Sequence, residues 1–437
     1  MFSQESVVKT RLYSLIWGTA SIRFIGLLLG FLIGVQLARY LGVENYGVYS
    51  TVMSIISILM IPTEMGLPRL LTREVARDLT ADKNEAIAIF RWAFFQVIFA
   101  SIITIMLLAA YGMLNSDSKI TVPLLWASLL IPLTALLNIY CAALRGMHLV
   151  AVSQIFDTLI RYIIFSLLLF MFFNLYESVG INEALLLSSI SILLPLMFSH
   201  IYLRKVFVGQ IFKNSNRISF DKARIYWSSL IPMALTEGMV VIRSNLQILT
   251  LSIMASLSDV GVFKIAASTM LILSMPITIV NLSLAPVIAR LYAENKKDEL
   301  SELLEKVSVF LVISTLSGFI PFIFYGEEIF GFVFGIEYEM ANDMFFILGL
   351  GMVLSSVFGA CSITLNMTGH EKYVLKSGVY SLILLITLSL PCIYYLQGEG
   401  AAIASTVAVI YWSFLMWTFC KKTVGLDTSL LSYLGVK

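Results

Sequence analysis

The stretch LARYLGVENYGVYSTVMSI (Leu37–Ile55) decides the fold, because it joins two apolar blocks and because the chain repeats it. One block runs over roughly 12–41 and the next over roughly 45–66. Each holds the run of about twenty apolar residues that a helix needs to cross a bilayer. The blocks are too long and too evenly apolar for barrel strands, which alternate in character. Backbone groups in lipid must be satisfied within the segment itself, so these blocks form helices. Ten more blocks follow, at roughly 87–112, 121–144, 150–174, 182–204, 224–255, 260–288, 305–325, 341–366, 372–396 and 400–420. The expected fold class is therefore all-α integral membrane, with about twelve transmembrane helices.

Composition agrees. Of 437 residues, 59% are hydrophobic and only 13% charged, and the mean hydropathy is +0.91. A soluble domain lies nearer half apolar and a quarter charged. The opening MFSQESVVKTRLYS leads into an apolar run too long for a signal peptide and without a small-residue cleavage site, so it reads as a retained first helix. Cys141, Cys361, Cys392 and Cys420 show no CxxC or Cys/His spacing, which gives no metal site, no cofactor and no disulfide framework. No nucleic-acid motif, hydrolase triad or phosphate loop appears.

The basic residues set the orientation. With the N-terminus in the cytoplasm, Arg69, Arg73, Arg77, Arg145, Arg204, Lys205, Arg290, Lys296, Lys297, Lys372, Lys376, Lys421 and Lys422 share one side. Lys119 alone faces the other, beside Glu44, Glu177, Asp259, Glu327, Glu328 and Glu399. That is positive-inside asymmetry with an even number of spans and both termini cytoplasmic. The first hairpin recurs 214 positions later as LSIMASLSDVGVFKIAAST (Leu251–Thr269), which places Asp259 on Asn45, Gly261 on Gly47 and Phe263 on Tyr49. Tyr111-Gly112 falls on Tyr325-Gly326, and RGMH (Arg145–His148) resembles TGHE (Thr368–Glu371). Six spans per copy make this a parallel repeat. The expected domains are a six-helix bundle over 1–205, a cytoplasmic linker over 206–222 and a second six-helix bundle over 223–437. LPRLLTREVARDLTADKNEA (Leu67–Ala86) carries Leu67, Leu70, Leu71, Val75 and Leu79 at helical spacing with Arg69, Arg73 and Arg77 on another face, and is expected to lie on the anionic cytoplasmic leaflet, the alternative being a helical connector with no lipid role.

Charge inside a span costs a few kcal/mol on insertion scales, so each buried charge asks for a reason. Arg23, Asp157, Arg161, Glu237 and Arg243 lie deep in the expected spans, Arg39, Glu64, Arg91 and Lys264 nearer their ends, and Gln36, Gln247, Asn138, Asn245 and Asn281 add polar groups. At about 1.5 Å per residue, Arg23 sits near the membrane midplane, and Glu237 is its counterpart under the 214-residue shift. Asp157 and Arg161 are four apart and share a helix face. Two readings stay open: a hydrated, partly cationic cavity between the bundles that holds an anionic headgroup, or ion pairs that only fasten helices. Arg39, Arg91 and Lys264 either contact substrate or snorkel to the interface. Pro232, five residues before Glu237, is expected to break the seventh helix. Gly26, Gly30 and Gly34 form a GxxxGxxxG face for close helix packing.

The stretch QLARYLGVENYGVYSTVMSIISIL (Gln36–Leu59), the basic LPRLLTREVARD after it and the loops ALRGMHL and MTGHEKY resemble the polysaccharide (O-antigen, Wzx-type) flippases of the multidrug/oligosaccharidyl-lipid/polysaccharide exporter superfamily. The resemblance implies a transporter rather than an enzyme, with two six-helix bundles alternating access around a central cavity. It implies an undecaprenyl-diphosphate-linked oligosaccharide as substrate, moved to the outer leaflet of a bacterial or archaeal cytoplasmic membrane. It also implies a cavity-facing first-helix arginine at Arg23. Membrane lipids, glycan polymerase and assembly machinery, and a coupling proton or sodium ion at Asp157 or Glu237 are the partners to consider. The expected substrate contacts are Arg23, Arg161, Arg243, Glu237, Asp157, Arg91, Lys264, Gln36 and Asn245. Two alternatives remain: a multidrug/cation antiporter of the same superfamily, and a membrane glycan polymerase or ligase, which short outer loops disfavour.

Overall fold

The computed structural model describes residues 2–78, 83–115, 119–206, 218 and 220–433. These residues form helices and no strand. In order they are α1 (Phe2–Glu64), α2 (Leu67–Asp78), α3 (Lys83–Leu114), α4 (Thr121–Ala127), α5 (Leu130–Gly146), α6 (Val150–Gln154), a π-helical turn (Ile155–Ile160), α7 (Arg161–Tyr176) and α8 (Ile181–Val206). Then follow α9 (Phe220–Met254), α10 (Leu257–Ala293), α11 (Lys297–Phe334), α12 (Ala341–Ser356), α13 (Cys361–Met367), α14 (Glu371–Thr423) and α15 (Leu430–Tyr433). The protein is an all-α, multi-pass membrane protein.

Nine helices among the described residues are long and apolar enough to cross a membrane, or ten if α12 and α13, bent by 47°, make one span. Two of them are too long for a single crossing. The 63 residues of α1 would extend about 95 Å, roughly three times the hydrocarbon core. Its helix is interrupted at Gly42, with φ 73° and ψ 172°, a backbone region open essentially to glycine alone. The 53-residue α14 is interrupted at Gln397. The twelve-span count is reached only by taking α12 and α13 as one span and counting each of these two helices twice.

The described chain divides into two compact units, Met1–Asn245 and Leu246–Lys437. The division falls inside α9, whereas the sequence places it in the segment 206–222, most of which lies outside the described residues. In the first unit, Leu67, Leu70, Leu71 and Val75 of α2 are buried in one core with Phe90, Ile139, Leu144, Leu203 and Leu230. The apolar face of α2 is therefore packed on protein, which corrects the expectation that it rests on lipid. Thr72 ties the helix down by donating to Ala142 O at 3.1 Å. A Cβ on Gly146 would lie 2.8 Å from Val75 Cβ and 2.9 Å from Thr72 O, so α2 and α5 meet backbone to backbone.

The repeated loops fold alike. In the first unit Leu149 N–H donates to Leu144 O at 3.0 Å across His148, whose φ is 61°. In the second, His370 N–H donates to Leu365 O at 2.8 Å across Gly369, whose φ is 77°. Both are helix ends closed by a left-handed residue and a six-to-one bond. The break expected at Pro232 does not occur, and α9 runs through it. Membrane helices tolerate such a proline when neighbouring groups take up the freed backbone bonds.

The second unit has a core of Ile288, Leu300, Leu304, Leu365, Met416 and Cys420. Its C-terminal segment folds back onto the bend between α12 and α13. Leu430 N–H donates to Val357 O at 2.8 Å, and Thr428 Oγ1 donates to Phe358 O at 2.8 Å. Asp427 organises the segment, accepting from Trp417 Nε1 at 2.8 Å, Ser429 Oγ at 2.7 Å and Lys421 Nζ at 3.1 Å. Partial burial pushes its carboxyl up, but the bonds from Trp417, Ser429 and Lys421 outweigh that and hold it down at about 2.

Candidate functional site

Several ionisable groups of the first unit gather where the end of α1, the turn to α2, α5 and α9 meet. The chain turns after Glu64 through Gly66, whose φ of 76° favours glycine. A Cβ there would lie 2.8 Å from Met233 Cβ, so the turn sits directly against α9. Ile61, Glu64, Gly66, Ala234, Glu237 and Val241 line a cavity of about 60 Å³ at this junction, with Ser57 at its edge. That is room for one or two water molecules. Asn138 Nδ2 on α5 donates to Glu64 Oε1 at 2.6 Å. Arg69, on the first turn of α2, forms an ion pair through Nε with Glu237 of α9. Glu64 also feels the charges of Glu237, Asp157 and Arg145. Three carboxylates and two guanidiniums thus share one neighbourhood.

Of the residues expected to contact substrate, Glu237 and Asp157 belong to this neighbourhood. Arg161 follows the π-helical turn that contains Asp157, and both are half-buried. Among the described residues no ion pair joins them. The π turn winds the backbone more widely than an α-helix, so a four-residue spacing no longer stacks the two side chains. Arg161 instead exerts its charge on buried Tyr49 of α1. The glycine face of α1 meets the π turn: a Cβ on Gly26 would collide with Thr158 Cγ2, and one on Gly30 would lie 3.5 Å from Tyr162.

Gln36 is tied to α7, donating to Ser166 O at 3.4 Å, while its Oε1 is buried without a hydrogen bond. Arg23 is exposed on α1, Arg91 is half-buried on α3, and Arg243 is half-buried on α9. Asn245 caps back onto its own helix, donating to Val241 O at 2.9 Å. Lys264 lies half-buried in α10 of the second unit. Sequence reasoning left Glu64, Arg69, Asn138 and Arg145 off the list of contacts. The charges at 64 and 69 flank the end of a span, but only the fold back at Gly66 brings Arg69 onto α9.

Residues 16–292 match the family described as polysaccharide biosynthesis protein. A capsular polysaccharide biosynthesis protein, CapF of Staphylococcus aureus, is 25% identical over 244 residues, covering 55% of this chain and 60% of that one. The alignment thus spans less than two thirds of that relative. A multidrug resistance MATE family transporter of the MOP superfamily, solved in an inward-facing conformation, shares the fold with a TM-score of 0.76 at 13% identity, over 94% of this chain and 98% of the other. The lipid II flippase MurJ does so with a TM-score of 0.73 at 14% identity, over 92% and 87%. On the extent of the family match, the chain belongs to the polysaccharide biosynthesis protein family, built on the fold of transporters of the MOP superfamily.

Proposed function

We propose that the protein carries an undecaprenyl-diphosphate-linked oligosaccharide from the cytoplasmic to the outer leaflet of a bacterial or archaeal cytoplasmic membrane. Family membership together with ionisable groups gathered inside a membrane-spanning unit supports this reading. Arginine suits the diphosphate because its planar fork donates paired hydrogen bonds and keeps its charge. In this reading Arg23, Arg161 and Arg243 serve the headgroup, and Gln36, Asn245 and the other polar groups serve the sugars. Two six-helix lobes, 1–205 and 223–437, alternate access around the substrate, with both termini in the cytoplasm. No catalytic step is needed, since no bond is made or broken. The carboxylates Glu64, Asp157 and Glu237 are the groups to which a coupling proton or sodium ion would bind.

The same carboxylates favour a second reading, a cation-coupled drug exporter on the same fold. Purified protein in liposomes, with a labelled undecaprenyl-diphosphate oligosaccharide in one leaflet, separates the two. Protein-dependent movement of the label, abolished in Arg23→Ala and partly restored in Arg23→Lys, is the expected result. Movement unaffected by Arg23→Ala removes that residue from the site. No movement, with drug or cation exchange in the same vesicles, overturns the flippase reading.

A further inference from the structure

The arginines of α2 are left unexplained once its apolar face is found against protein. Arg69 and Arg73 stand four residues apart, on one face of the helix and about 6 Å along its axis. Each is about half exposed, and each is tied through Nε to a carboxylate, Arg69 to Glu237 and Arg73 to Glu74 at 2.9 Å. Glu74 is 2% exposed, so its charge lies beneath the arginine rather than beside it at the surface. It also pairs with Arg77 at 2.6 Å. The contacts of Arg69 and Arg73 with these carboxylates run through Nε.

A guanidinium gripped at Nε has its orientation fixed while its outer edge stays available. Two such edges, one helical turn apart, are a rack for two phosphate groups, each able to accept paired charge-assisted bonds. The rack is rigid because Thr72 and Val75, which lie between and beside these arginines in the chain, are locked on α5. Aromatic side chains that suit a ligand at the membrane boundary lie on the neighbouring α3 and α9. Trp92, Tyr226 and Trp227 form an aromatic cluster beside the same core, with Trp92 and Trp227 rings 6.1 Å apart. Such rings are typical of headgroup depth.

We infer that Arg69 and Arg73 of α2 form a docking site for the diphosphate of a polyprenyl lipid, on the face of the membrane that carries the basic residues. The site receives the substrate before it enters the translocation path. As the diphosphate engages Arg69 it competes with Glu237, so arrival of the headgroup loosens the contact between α2 and α9. The inference rests on the diphosphate-lipid reading of function.

The test is binding of farnesyl diphosphate to the purified full chain, compared with farnesyl monophosphate, inorganic pyrophosphate and phosphatidylglycerol. Wild type should prefer farnesyl diphosphate to all three. Arg73→Gln should weaken that binding about tenfold, and Arg73→Lys, which keeps the charge over Glu74 and so the fold, should recover part of it. Unchanged affinity in both variants overturns the docking site while leaving the flippase reading standing. Equal affinity for inorganic pyrophosphate or for phosphatidylglycerol also overturns it, by showing a site for free diphosphate or for any anionic lipid. Failure of wild type to bind farnesyl diphosphate at all would count against the functional reading itself.

Discussion

Gly146→Ala tests whether α2 is a rigid platform. The added methyl would sit 2.8 Å from Val75 Cβ, 2.9 Å from Val75 Cγ1 and 2.9 Å from Thr72 O. Ordinary carbon contacts begin near 3.5 Å, so α2 must retreat by roughly 0.6 Å or more. Overfilling a packed contact of this kind costs about 1–3 kcal/mol. Thr72 O is backbone, so no side-chain rotation relieves the clash, and Val75→Ala added to Gly146→Ala rescues only part because Cβ remains. Gly378→Ala is the control: it lies inside α14 with nothing within 4 Å of the new methyl. There the change should be neutral or stabilising by up to about 1 kcal/mol through helix propensity. Thermal unfolding of the purified protein should fall for Gly146→Ala and not for Gly378→Ala, and hydrogen exchange should locate the loss of protection in Leu67–Asp78. Wild-type melting and undiminished protection of α2 in Gly146→Ala would refute the close contact and the rigidity drawn from it.

Glu237→Gln should separate function from folding. The side chains of the Arg69–Glu237 pair are 51% and 31% exposed, and pairs of that kind contribute about 1 kcal/mol or less. Melting should barely move while transport in the liposome assay drops at least tenfold; wild-type transport would remove Glu237 from the path. Asp427→Asn should free the C-terminal segment, since charge-assisted bonds from Trp417, Ser429 and Lys421 are lost or weakened, at about 1–3 kcal/mol. Its carboxyl is held down at about 2, so the charged form stabilises the fold above the ordinary carboxylate range, near 4. That stability is lost as pH falls through about 2. The gap in melting temperature between wild type and Asp427→Asn should be constant from neutral pH to about 5 and close only below about 4. A gap already closing at pH 6 would mean that another group is responsible.

The membrane-spanning helices were legible because they depend on local composition: twenty apolar residues leave a chain in lipid no other form. The repeat was legible only in part: both loops close a helix with a left-handed residue, but it is His148 in one and Gly369 in the other, so the turns match in shape more than in sequence. What the sequence hid depends on contacts distant in the chain. An amphipathic helix looks the same whether its apolar face meets lipid or protein, and only the burial of Leu70, Leu71 and Val75 against Ile139 and Leu144 distinguishes them for α2. Asp157 and Arg161 form an i,i+4 pair only if the helix stays α-helical, and the π turn removes that condition. Pro232 predicts a break from its own chemistry, yet α9 remains helical. Glu64 and Asn138 are 74 positions apart, so no local pattern announces their bond.

The repeat is also unequal between its second and third spans. In the first copy, a turn and the twelve residues of α2 lie between the second and third spans. In the second copy, α10 passes into α11 through Glu294–Lys296, a tight turn closed by a bond from Lys296 N–H to Leu291 O at 3.0 Å. Among the described residues, it is the first copy that presents a stripe of arginines on a helix buried in its own core. On the proposed function, a substrate with a diphosphate at one end and sugar at the other is itself unsymmetrical, and two identical lobes would offer it no preferred point of entry. On the docking inference above, Arg69 and Arg73 would give that headgroup one place to arrive. The carboxylate that holds Arg69 sits on α9, the helix in which the first unit gives way to the second, so the contact that a diphosphate would disturb is already next to the element that links the two units.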